Sequence, residues 1–547
     1  MRHRSYSFSI LAIIVSSKIC YDLSNRTETS GSHSTPYLIM HWRFVIILIS
    51  LAICNAYKFL VYSPIFGYSH TKFTGSIADA LTEAGHNVTI LMAVLDKEQE
   101  KLSDPALTKQ IFKVGPDPRT AEIIRYKGSK MSKIWEMQPT PYQLLQNINP
   151  NLTAQFAFQC EKVFSDEGLM EKLRAMKFDA GIAETFTICG FGELAVEGEQ
   201  MNIFGRMKNT MDVYFSSKYF ENMYKKEINA FQAKFGKSFK GYNELLVEAS
   251  YMLTNSIPYL DFPRPLLHKT VPIGGIAVQA NHTKQPLEEK WDEILNERKT
   301  TVLISFGTIA KAQYMPDKYK YVFMLFQLAK LKSNAEYVRK GLLEVVRSMP
   351  ETTFLWKYEG SETNFGSDLP NLHISSWFPQ NALISDRRLT VFVTHAGLAS
   401  VNEAAFFGKP TILVPIFADQ TRNALMLAKH GGGIVMKKTD LEYPHILRGN
   451  LQRILNDQSY AQKAKRLSEM LLNLPISPKD LVVKHCEFAA RFGRLPNLDP
   501  YGRQLSIIHY YLIDVFFAGA AVLVAVLFVF VILLRKCCCS IKKSKMD

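Results

Sequence analysis

The chain reads as two doubly wound α/β domains followed by one membrane-spanning helix. Three observations predict this: strand–turn–helix units recur in both halves, polar residues gather where the strands end, and residues 515–534 carry no charge. At 547 residues the chain is long enough for two or three domains. Its hydrophobic content of 47% and aromatic content of 12% indicate packed cores and exclude a disordered chain. A net charge of +15 would suit nucleic acid, but the lysines and arginines are scattered and no zinc-finger or RNA-recognition motif appears. The basic surplus fits solvated faces and a membrane-proximal surface.

Residues 1–39 read as an N-terminal extension, untranslated or removed, with a weak apolar run from Phe8 to Val15. Residues 40–56 read as a signal peptide. Arg43 precedes the apolar core Phe44 to Cys54, and Cys54-Asn55-Ala56 offers a small-residue cleavage site. Met40 is the expected initiator, with Met1 the alternative. Tyr57 to Ser63 predicts a buried strand. A turn at Ile65 to Ser69 then leads to a helix bearing Phe73, Ile77, Ala80 and Leu81, which Gly85 ends. Val88 to Ala93 is the next strand, closing a right-handed β-α-β unit. Phe178 to Ala183 repeats the strand signal before a Gly-rich turn. Met201 to Leu253 is aromatic-rich and helical in period.

The first domain is placed at 57–278 and a polar linker at 279–300. The second domain, 301–476, opens with the strand Thr301 to Phe306, a turn at Gly307-Thr308, and a helix beyond Pro316. Strands follow near Thr353 to Lys357, Leu372 to Ser375, Leu389 to Thr394 and Thr411 to Pro415. Residues 477–510 hold a helix from Pro478 through Phe492 that should pack back on the first domain. The span, 511–534, centres on Val515 to Leu534 and matches the roughly 20 residues a bilayer requires. Arg535, Lys536, Lys542, Lys543 and Lys545 place the tail 535–547 in the cytosol. That tail ends in a K-x-K-x-x pattern, read equally as a retrieval signal for the endoplasmic reticulum or as a basic stop-transfer flank.

Sequons at Asn25, Asn87, Asn151 and Asn281 fit a luminal chain, with Asn87 expected to be too buried to modify. Cys160, Cys189 and Cys486 permit at most one bridge, and buried free thiols are the default.

The richest stretch is Phe392 to Gly433. His395 enters the turn Ala396-Gly397, and the helix that opens there presents unpaired N–H groups and a positive dipole end to phosphate. His395, Ala399 and Glu403 lie four apart, which puts Glu403 two turns below, where a ribose could hang. Asp419 and Gln420 follow the next strand and suit sugar hydroxyls. A nucleotide-sugar site is the reading.

At these residues the chain resembles the UDP-glycosyltransferases, with spacing close to the membrane-bound UDP-glucuronosyltransferases. His395, Gly397, Ser400, Glu403, Gly408, Pro410, Pro415, Asp419, Gln420 and Asn423 fall in register. Two positions depart: Ala396 stands where the family has glycine, at little cost if its φ is negative, and Ala399 where asparagine is frequent. The resemblance implies two Rossmann-like domains facing across a cleft (the GT-B type). It also implies a UDP-sugar donor, a small lipophilic acceptor, an endoplasmic-reticulum membrane setting, and association with itself or related transferases.

It further assigns roles. Trp377 would stack on uracil and Gln380 bond the base or ribose. Thr308, His395, Gly397, Leu398 and Ser400 would hold the diphosphate, and Glu403, Asp419 and Gln420 the sugars. No D-x-D motif occurs, so no obligatory metal or other cofactor is expected, and His395 with backbone dipoles would neutralise the leaving group. His70 would be the general base. The family's aspartate partner falls in register with Glu184, one methylene longer; Asp179, at the strand's far end, is the weaker substitute. Glucuronate and glucose remain equal as donor sugars. A membrane-lipid or sterol glycosyltransferase and a non-catalytic UDP-sugar-binding scaffold are the alternatives.

Overall fold

The computed structural model describes residues 12–16, 56–100, 105–121, 123, 132–136, 150–185, 202–278, 287–316, 341–360 and 366–543. The signal-peptide core, the sequons at Asn25 and Asn281, Cys189, the helix expected beyond Pro316 and the last four residues lie outside them.

The first sheet holds seven strands in the order β4-β3-β2-β5-β1-β6-β7. They are β1 (Ala12–Ser16), β2 (Lys58–Ile65), β3 (Asn87–Val94), β4 (Gln110–Val114), β5 (Ala180–Thr185), β6 (Tyr251–Thr254) and β7 (Thr270–Pro272). All pairs are parallel except those of β1, which runs antiparallel to both β5 and β6. β1 belongs to the N-terminal extension that the sequence reading set apart from the fold. Its composition, Ala-Ile-Ile-Val-Ser, suits a strand flanked on both edges.

Helix α1 (Tyr68–Glu83) follows β2 and buries Phe73, Ile77, Ala80 and Leu81, the face its spacing predicted. It begins inside the stretch read as a turn, because the backbone carbonyl of Gly67 already accepts from His70 and Thr71. Asn87 is exposed at the start of β3, correcting the expectation that burial would shield it. The aromatic-rich region resolves into the 33-residue helix α2 (Ile203–Phe235) and a shorter one, Tyr242–Glu248. Cys160 and Cys486 are free thiols.

The second sheet has six parallel strands, β10-β9-β8-β11-β12-β13. These are β8 (Thr300–Ser305), β9 (Thr352–Lys357), β10 (Leu372–Ser375), β11 (Leu389–Thr394), β12 (Thr411–Leu413) and β13 (Gly433–Val435). Read in chain order this is 3-2-1-4-5-6, the dinucleotide-fold order. Buried apolar clusters cover both faces, as near-continuous strands such as β9 require.

One piece of the first half plugs into the second. Trp135 is fully buried against Phe306 at 5.1 Å between ring centroids, and its indole N–H donates to the Lys311 carbonyl at 3.2 Å. Trp135→Ala should cost about 3–5 kcal/mol by urea unfolding followed by far-UV circular dichroism. The return helix α5 (Pro478–Phe492) packs on the first domain as expected. Glu487 meets His86 at 3.1 Å, Lys479 meets Glu83 at 2.6 Å, and Ser250 donates to the Gly493 carbonyl.

Residues 495–547 form a separate unit. Its helix, Ile513–Lys543, contains the one segment among the described residues long and apolar enough to cross a membrane, Ile513–Lys536. Twenty-four helical residues reach about 36 Å, more than a typical hydrocarbon core.

Candidate active site

Both sheets reverse strand order at one point, and ligands of open α/β sheets bind beyond the strand ends there. In the first sheet that point lies between β2 and β5, paired through Val61–Ile182 and Tyr62–Ala183. His70 follows β2 and Glu184 is near the end of β5, so parallel pairing brings them together. His70 Nδ1 lies 2.5 Å from Glu184 Oε1, and the Glu184 side chain is fully buried. An ionised carboxylate only accepts, so Nδ1–H donates and Nε2 keeps the lone pair a base needs. The longer glutamate therefore reaches the histidine. Its Oε2 has no hydrogen-bond partner among the described residues, so the carboxylate meets the ring through Oε1. Asp179 is elsewhere: its Oδ2 accepts from the Lys58 backbone N–H at the opposite strand end. The Phe66 ring lies 4.4 Å from that of His70 and 5.4 Å from that of Phe156, an apolar wall beside the base.

In the second sheet the reversal lies between β8 and β11. Gly307 and half-buried Thr308 follow β8, and His395 follows β11. The imidazole sits between two glycines. A Cβ on Gly307 would come within 2.6 Å of the ring and one on Gly397 within 2.5 Å. Gly397 caps helix α3 (Leu398–Phe406) without a side-chain bond, leaving the first-turn N–H groups at Leu398, Ala399 and Ser400 directed out of the helix end. His395 precedes the helix, so only Ala399 and Glu403 share its face.

Burial, reinforced by the neighbouring Lys357 ammonium, pushes the His395 imidazolium down to about 4, against a weaker opposing hydrogen bond with the Ser305 backbone. Near pH 7 the ring is then neutral, so it would meet an anion through its N–H and not with a full charge. The cation beside the ring is Lys357, at the end of β9, whose own pKa burial lowers while Glu359 opposes that shift. Its Nζ donates to the Gly307 carbonyl at 2.8 Å, pairs with Glu359 at 3.4 Å and lies 5.4 Å from the Trp377 ring. Sequence reasoning missed Lys357, although its position at a strand end was the available signal.

Trp377 is 45% exposed on a tight turn in which Ser375 Oγ donates to its carbonyl at 2.8 Å. Gln380 Nε2 donates to Ser400 Oγ at 3.2 Å and Glu403 Oε2 at 2.7 Å, tying the tryptophan turn to α3. Asp419 is half-buried just before helix α4 (Gln420–Ala428) and accepts from Asn423 Nδ2 at 2.8 Å. Desolvation raises its pKa, with Asn423, Arg422 and His70 opposing. The two strand-end clusters face each other: from the helix that carries His70, Lys72 Nζ lies 3.3 Å from Glu403 Oε1 and the Tyr68 ring 6.1 Å from that of Trp377. Gln420 uses its carbonyl oxygen to brace the turn, accepting from Ile416 N and Phe417 N.

Two alanines are held in left-handed backbone, Ala396 at φ 63° and Ala418 at 56°. The negative φ that would make Ala396 inexpensive is thus absent. Left-handed geometry costs an L-residue about 1–2 kcal/mol, while the buried methyl returns about 0.8 kcal/mol. Ala396→Gly should therefore shift stability by less than about 1 kcal/mol in urea unfolding.

A facing pair of doubly wound domains, with a histidine–carboxylate dyad on one and a phosphate-ready helix start on the other, defines a nucleotide-sugar-dependent glycosyltransferase. The family model described as UDP-glucoronosyl and UDP-glucosyl transferase matches residues 192–546, and the chain belongs to that family. A Caenorhabditis elegans protein provisionally described as UDP-glucuronosyltransferase ugt-47 is 28% identical over 509 residues, 84% of this chain and 89% of its own. UDP-glucosyltransferase 2 of Dactylopius coccus is 26% identical over 521 residues, covering 87% and 93%. Among solved structures, the glycotransferase of kitacinnamycin aligns with a TM-score of 0.49 at 15% identity, covering 80% of this chain and 99% of that one.

Proposed function

We propose that the protein is an inverting transferase, anchored in the endoplasmic-reticulum membrane with its domains luminal. It would move glucuronate or glucose from a UDP-sugar to a hydroxyl of a small lipophilic acceptor. The observation that carries this is the His70–Glu184 pair at 2.5 Å, on a helix that also reaches Glu403 and Trp377 of the other domain. In this reading residues 57–278 serve the acceptor and 301–476 the donor. His70 Nε2 takes the acceptor's hydroxyl proton, and the oxygen attacks C1 from the face opposite UDP. The C1–O bond to the diphosphate breaks with inversion, and UDP leaves with the electron pair. The α3 start, Thr308, the His395 N–H and Lys357 meet the growing negative charge. Trp377 and Gln380 hold uridine, while Asp419 and Gln420 position the sugar.

The Glu184 contact supports catalysis over a non-catalytic UDP-sugar-binding scaffold, because the residue that departed from the family pattern reaches the base. Phe66 and Phe156 beside the base support an apolar acceptor. The test is UDP release from membranes holding the expressed protein. UDP-glucose and UDP-glucuronate would be supplied separately, each against panels of phenols and sterols. Acceptor-dependent release is expected with one donor. Binding of UDP with no turnover on either donor would favour the scaffold.

A further inference from the structure

Helix α1 carries a second functional group two residues past the base. Lys72 Nζ lies 3.3 Å from Glu403 Oε1, joining the first domain to the second across 331 residues of sequence. A step of two residues turns about 200° around a helix. His70 accordingly points to Glu184 on β5, whereas Lys72 points to α3. The first turn of α1 touches the donor side again at Tyr68, whose ring meets Trp377 edge-on at 6.1 Å, with Lys72 6.0 Å from the Tyr68 ring. One helix end thus carries the base and also meets the residues assigned to uracil and ribose.

Exposed ion pairs contribute little, but this one is not exposed. The Glu403 side chain is 8% accessible and that of Lys72 24%. A buried carboxylate needs compensation. Gln380 supplies a neutral donor to Oε2, and Lys72 is the cationic partner among the described residues. A carboxylate has about four lone-pair directions, so a ribose diol can bind beside both partners without displacing either.

We propose that Lys72 is a donor-positioning residue: from the acceptor domain it holds the Glu403 carboxylate oriented for the ribose, and so sets the registry of α1 against α3. This rests on the donor-site reading given above. It adds that donor affinity depends on a side chain outside the donor domain.

The test is UDP binding by calorimetry to the full-length protein in detergent, which requires no turnover. Lys72→Met should weaken UDP about 10-fold, and Lys72→Arg should stay within about 2-fold. In a Glu403→Gln background the Lys72→Met change should add less than about 2-fold, since the coupling is then absent. Thermal midpoints serve as the folding control. Wild-type binding with Lys72→Met unaffected, or with equal losses in both backgrounds, would overturn the positioning role alone. Failure of the wild type to bind UDP would overturn the donor-site reading and the Lys72 role with it.

Discussion

His70→Ala should lower turnover about 1,000-fold, close to 4 kcal/mol of transition-state stabilisation, while UDP affinity changes by less than a factor of two. The split follows from position. His70 lies on the acceptor side of the cleft, and the groups assigned to nucleotide binding sit at or just after the ends of β8, β9, β10 and β11 or on α3. Steady-state UDP release and calorimetric UDP binding on the same preparation read the two quantities. Glu184→Gln should reproduce most of the loss, because an amide can present its N–H to Nδ1 and thereby impose the wrong tautomer. Glu184→Asp is informative in the opposite sense. Aspartate is the family's residue, yet here the strand end is spaced for glutamate, and shortening it opens a contact now at 2.5 Å. A rate close to wild type for Glu184→Asp would show that the loop adjusts and that the ring is oriented by something else.

Gly397→Ala should abolish measurable UDP binding. The added Cβ would lie 2.5 Å from His395 Nε2 and 2.9 Å from Cε1, far inside contact distance. Either the imidazole swings away or the start of α3 moves. Both outcomes dismantle the diphosphate seat, at a cost of at least about 100-fold in affinity. Gly307→Ala should behave alike, with additional strain from its φ of 82°. The overall fold should survive both changes, since neither glycine lies within a strand. Retained UDP affinity in Gly397→Ala would place the phosphate elsewhere.

Much of this architecture was legible because parallel sheets buried on both faces write themselves as short apolar runs. β10 and β11 match the sequence reading at both ends, and α5 does so at both of its ends. The strand-end rule singled out His395 and Asp419, and the family resemblance added His70 and Thr308, without any knowledge of contacts. Other features depend on tertiary geometry. β4 and β6 went unread, being short and flanked by polar residues. Ala396 gives no sign in sequence of its positive φ, since nothing but the surrounding turn dictates it. The Trp135 plug, Lys357 and the Lys72–Glu403 bridge join segments tens to hundreds of residues apart, and no periodicity encodes such pairings.

The pinned, neutral imidazole at His395 divides proton traffic between the two halves of the cleft. Its unfolded counterpart protonates near 6.5 and the folded one near 4, so this group stabilises the fold above about pH 6.5 and loses that contribution as pH falls toward 4. Nearer neutrality it stays outside the titration. UDP binding at pH 7.5 should then release or take up almost no protons at this ring, a result readable from calorimetry in buffers of differing ionisation enthalpy. On the proposed mechanism the two histidines would have separate duties: His70 would move a proton, and His395, neutral near pH 7, would serve the departing nucleotide through its N–H.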